Sequence, residues 1–142
     1  MLGQFEEDGT VVVADFEAGL GTLSRMEAGA ADVLLVIAEP TQKSIEVARR
    51  ALAIIAERNL GRPILVANRI RADADRALIT EAFPHVQSVA IPDDPAIRAA
   101  DLEGRAAIDA ARDAPGVRAL SGLALALADR DSGRAIPQDS PS

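Results

Sequence analysis

The chain has 142 residues, 49% of them apolar, and a formal net charge of −7 from 15 basic and 22 acidic side chains. It has no cysteine, which excludes disulfides, thiol catalysis and a cysteine metal site within the chain. The acidic balance, with basic residues scattered rather than clustered, argues against a nucleic-acid partner, and no apolar run approaches the roughly 20 residues that span a membrane.

Aromatic residues make up only 2% of the chain, and the apolar set is Ala, Val, Leu and Ile. That composition suits helices packed on a parallel sheet, and the length suits one domain with a real core. The opening "MLGQFEEDG" lacks the basic start and apolar stretch of a signal peptide, so the expectation is a soluble, cytoplasmic protein.

In chain order, the first expected strand is the β-branched run at residues 10–14, which drives into Asp15. Apolar runs at residues 33–38 and 64–67 read as two more buried strands, and residues 86–91 as a weaker fourth. Between them, "TQKSIEVARRALAIIAERNLG" spaces Ile45, Ala48, Leu52 and Ile55 for a helix, with Thr41 as its cap and Gly61 just past its end. "DADRALITEAF" gives a shorter helix with Leu78, Ile79 and Phe83 on one face. His85, between Pro84 and Val86, reads as a surface loop residue. "DDPAIRAA" places an acid before a proline at a first helical position. "PGVRALSGLALALADR" repeats Val117, Leu120, Ala124 and Leu127 for a closing helix. One domain over residues 1–130 is expected, followed by a polar, disordered tail over 131–142.

Strands alternating with helices imply a three-layer α/β/α fold with a mainly parallel sheet of about four or five strands. In such sheets ligands bind beyond the carboxyl ends of the strands. The segments "DFEAG", "EPTQKS", "NRIRAD" and "PDDPA" should therefore gather along one edge. Asp15 has the chemistry to hold magnesium through water, and Gly19 would let backbone N–H groups approach a phosphate. A strand-end Asp more often simply caps a turn. Asn68 offers both a donor and an acceptor to the edge of a base, or to its own loop backbone. Pro92 and Asp93 would wall the same pocket. A P-loop needs glycines, then Lys, then Ser or Thr, and the single lysine, Lys43, precedes Ser44 in a glycine-free segment that reads as a helix start. No nucleophile–base pair or metal cluster stands out elsewhere.

Taken in order, these segments resemble one family. "VVVADFEAGLGTLSR" resembles the Walker B and switch II region of the MinD/ParA/CooC-type P-loop ATPases, most closely the CooC-like subgroup that assists carbon monoxide dehydrogenase. "ADVLLVIAEPTQKSIEVARR" resembles that subgroup's next strand and helix. "ILVANRI" resembles the strand ending in an adenine-reading asparagine and a basic neighbour. "VAIPDDPAIRAADLEGRA" resembles the loop that closes over the base. The similarity covers about residues 10–130 and implies a P-loop NTPase-like fold that binds ATP with Mg2+. It implies Asp15 beside magnesium, Gly19 near the terminal phosphate, Asn68 and Arg69 at adenine, and Pro92 with Asp93 against the base. It also implies a homodimer or a pairing with a separate P-loop-bearing chain, and a metalloenzyme as client.

The family's P-loop strand, its lysines and switch I have no counterpart here, since only nine residues precede the first expected strand. ATP hydrolysis by this chain alone is therefore not expected. Two other readings compete: a non-catalytic regulatory or dimerisation module on the same fold, and an unrelated α/β domain that binds another small molecule.

Overall fold

The structure, a computed structural model, describes residues 11–16 and 20–128. In chain order the elements are α1 (Leu20–Leu23), β1 (Val33–Ala38), α2 (Gln42–Arg58), β2 (Arg62–Ile70), α3 (Asp73–Ala82), β3 (Ser88–Pro92), α4 (Pro95–Leu102), α5 (Ala107–Ala110) and α6 (Pro115–Ala128). The strands form one parallel sheet in the order β1-β2-β3.

Each strand is joined to the next by a helix, and consecutive crossovers of one hand place α2 and α3 on the same face. Their contact residues confirm it. Leu34, Val36, Leu65 and Ala67 of the sheet pack with Ile45, Ala48 and Ile55 of α2, Ile79 of α3 and Phe83 just beyond it. On the opposite face Ile64, Val66 and Ile91 pack with Leu123 of α6. Two helical layers around a parallel sheet make the expected three-layer α/β/α arrangement. β2 is the centre of the molecule: Ile64 and Leu65 are fully buried on opposite faces, each worth about 1.5–3 kcal/mol of transfer free energy.

Local chemistry sets the helix ends. The Thr41 hydroxyl accepts the Ser44 N–H at 3.3 Å and starts α2. The helix ends at Asn59, which takes the left-handed conformation with φ 52° and donates its N–H to the Ala56 carbonyl. Asn59 thus does what the sequence assigned to Gly61. Gly61 is needed for another reason: a Cβ there would lie 2.1 Å from the Ala31 carbonyl oxygen. Only a glycine lets the entry to β2 pass so close to the loop before β1. Asp94 caps α4, with Pro95 in the first turn, as the sequence predicts.

Three expectations are corrected. Residues 11–14 form no strand; Val11, Val12 and Val13 are 50%, 54% and 87% exposed. β-propensity without a hydrogen-bonded neighbour is not enough to make a strand. The sheet among the described residues accordingly has three strands rather than four or five. On α6 the buried face carries Gly116, Val117 and Leu123, while Leu120 is 44% exposed. An Ala- and Leu-rich helix offers more than one apolar stripe, and the approach of Gly116 to Asp94 selects this one. The tail over 131–142 lies outside the described residues.

Candidate functional site

Parallel strands deliver their following loops to one edge of the sheet, and here the loops after β1, β2 and β3 meet there. The loop after β1 holds Glu39, whose N–H donates to the Ser44 hydroxyl at 2.9 Å, which folds the loop back onto the first turn of α2. Lys43 lies exposed in that turn, as expected of a helix start rather than a phosphate loop.

At the end of β2 the ladder to β3 is interrupted between Ala67 and Ile70. Arg69 sits in that irregularity with φ 57°, left-handed backbone that costs a non-glycine residue about 1–2 kcal/mol. The irregularity turns its guanidinium toward the neighbouring loop, where it pairs with Glu39 at 3.2 Å. Asn68, just before it, is half-buried, and among the described residues its side-chain amide makes no hydrogen bond. The alternative for Asn68, an amide satisfied by its own loop, is therefore not what the described residues show.

After β3, the Asp93 N–H donates to the Ile70 carbonyl at 3.0 Å, tying this loop to the end of β2. The Asp93 carboxylate pairs with Arg98 at 3.1 Å. Asp94 turns inward and is 9% exposed. One of its oxygens accepts the Ala96 N–H at 2.9 Å and the other accepts the Gly116 N–H at 2.7 Å. A single carboxylate thus caps α4 and anchors the first turn of α6.

A neighbouring pair shapes the start of α3. Asp75 accepts hydrogen bonds from the Arg71 backbone N–H and from its guanidinium, each at 3.0 Å. The hydrogen bonds from the Arg71 guanidinium and backbone hold the Asp75 carboxyl below the usual carboxylate range. Hydrogen bonding to Asp75, with its negative charge, raises Arg71 in turn.

The structure therefore brings Asn68, Arg69, Pro92 and Asp93 to one edge. It does not add Asp15 to them as a strand-end carboxylate: Asp15 is exposed and follows a run that is not a strand. Gly19 lies outside the described residues. Among the described residues no group of three His, Asp or Glu side chains is arranged to hold a metal ion.

The sequence reading also missed a cleft of about 360 Å³ at the free edge of β3, lined by Ile70, Arg76, Ala90, Pro92, Arg118 and Ala119 among others. Arg76 comes from α3 and Arg118 from α6, so an arginine stands on each side of this edge. Each falls singly within its helical segment, and nothing in the spacing signals that the two line one cleft.

No family model matches the chain, and no curated protein matches it.

Proposed function

We propose that this chain is a nucleotide-binding domain that takes the adenine end of ATP at the carboxyl edge of its sheet. The observation that carries the reading is Asn68, held half-buried at the end of the central strand with its amide free of hydrogen bonds among the described residues. An amide presents a donor and an acceptor side by side, as the edge of adenine does. Arg69, fixed in a strained backbone conformation beside it, supports the reading because such strain persists where a site requires it. Pro92 and Asp93 stand at the end of the adjacent strand, where the resemblance to the MinD/ParA/CooC-type ATPases puts the wall of the base pocket.

In this reading the chain binds but does not hydrolyse by itself. Its one lysine, Lys43, lies in the first turn of α2 rather than in a phosphate loop. Magnesium would arrive with the phosphates. The cellular role is that of a cytoplasmic ATP-binding accessory factor, completed by a second chain and serving a metalloenzyme. The non-catalytic interaction module is the second reading, favoured by the exposure of Leu35 and Ile37 on β1.

Calorimetry with ATP and magnesium tests the first reading. The wild-type chain should bind, and Asn68→Ala should weaken binding about tenfold, the equivalent of one hydrogen bond of about 1.4 kcal/mol. A wild-type chain that takes up no ATP, or an alanine variant that binds equally well, removes the adenine reading and leaves the interaction module.

A further inference from the structure

The two edges of the sheet are built in opposite ways. β3 has five residues, ends in Pro92, and is flanked by Arg76 and Arg118. Short length, proline and charge are the devices that keep an edge strand from pairing with another chain. β1 is one residue longer and has neither the proline nor the charge. Its six residues, VLLVIA, are all apolar, and among the described residues nothing pairs with its outer side.

The direction of the free groups follows from the register. The Arg62 N–H donates to the Asp32 carbonyl, and Val33 pairs with Arg62. Backbone groups alternate along a strand, so those of Leu34, Val36 and Ala38 face β2 and those of Val33, Leu35 and Ile37 face outward. Leu35 and Ile37 also expose their side chains, 41% and 54%, on the face that α6 covers elsewhere. The edge thus offers hydrogen-bonding groups and apolar side chains from the same residues.

The chain also carries a run with the residue types of a strand. Residues 11–14, VVVA, are β-branched apart from the last and lie exposed outside any helix or strand. This run and the β1 edge each lack what the other provides. In the single chain the two do not pair, and the valines are open to solvent.

We propose that the β1 edge is a docking surface for residues 11–14 of a second copy of this chain, which adds them as a fourth strand to the sheet. Exchange in both directions satisfies both runs and both edges, a strand swap between two copies. The added strand brings β-branched side chains beside Leu35 and Ile37. This proposal stands independently of nucleotide binding.

The absence of cysteine allows a direct test on the full chain. Val12→Cys and Ile37→Cys variants, mixed and treated with a short bis-maleimide, should give a crosslinked pair, and the wild-type chain should sediment as a dimer. Ile37→Lys, at an exposed position that leaves the core intact, should lose the dimer while its circular dichroism stays native. Val12→Pro should lose it as well, from the other partner of the contact. A monomeric wild-type chain overturns the proposal. So does a Val12→Cys, Ile37→Cys double variant that crosslinks only within one chain, because the run then closes on its own sheet. A dimer that survives both Ile37→Lys and Val12→Pro places the contact elsewhere and also overturns it.

Discussion

Replacing Asp94 by alanine removes two hydrogen bonds from a side chain that is 9% exposed. Loss of a helix N-cap costs about 1 kcal/mol. The Gly116 N–H is left buried beside the space the carboxylate filled, at a further cost of about 1–3 kcal/mol. The sum, about 2–4 kcal/mol, is a large part of the 5–15 kcal/mol that typically holds a domain together. Urea unfolding should show it as a lowered midpoint with an unchanged slope, a shift on the order of 1–2 M. Asp94→Asn keeps one oxygen acceptor and replaces the other with a donor, so it should lose one of the two bonds and fall between. If Asp94→Ala unfolds within about 0.5 kcal/mol of wild type, the range of an ordinary surface substitution, the carboxylate is not the tie between α4 and α6 and the reasoning fails.

Gly61→Ala should be more damaging than its size suggests, because the new methyl would meet a backbone oxygen at 2.1 Å that no side-chain rotation can relieve. A loss of about 3 kcal/mol, the upper end for overpacking, is expected in the same urea assay, and a loss near zero would mean that the loop before β1 yields freely. Asp75 gives a pH dependence. Its folded-state pKa lies below the ordinary carboxylate value, so its contribution is fully present above that value and is lost as pH falls through the depressed one. Asp75→Asn should flatten that part of the acid titration of α3, followed by exchange of the Arg71 amide, and an unchanged acid profile would show that the pair contributes nothing.

The elements most legible in the sequence were those whose local and tertiary signals agree. The sequence predicts a strand at residues 33–38 with the bounds the structure shows, and it marks Thr41 as a cap and Asp94 as the acid of a helix opening because a capping side chain acts within three residues of itself. Errors arose where the outcome depends on distant partners. Residues 11–14 have strand propensity, but pairing decides a strand, and no strand in the described residues receives them. Gly61 looked like a helix end, but its necessity comes from Ala31, thirty residues away. At the candidate site, the loops after β1, β2 and β3 could be placed by topology alone. The inward turn of Asp94, the left-handed backbone at Arg69 and the two arginines at the β3 edge could not, since each is a product of packing between elements.

The backbone at Arg69 also sets what an arginine costs at this position relative to glycine. Glycine adopts φ 57° without penalty, whereas an arginine carries strain of about 1–2 kcal/mol there. Its ion pair with Glu39 joins side chains that are 65% and 40% exposed, and such exposed pairs return at most about 1 kcal/mol. Glycine would relieve that strain but lose the ion pair and bring a conformational-entropy cost of about 0.5–1 kcal/mol of its own, so the two residues come out close in stability. What the arginine adds is a cation held at the end of the central strand, beside the loop that follows β1.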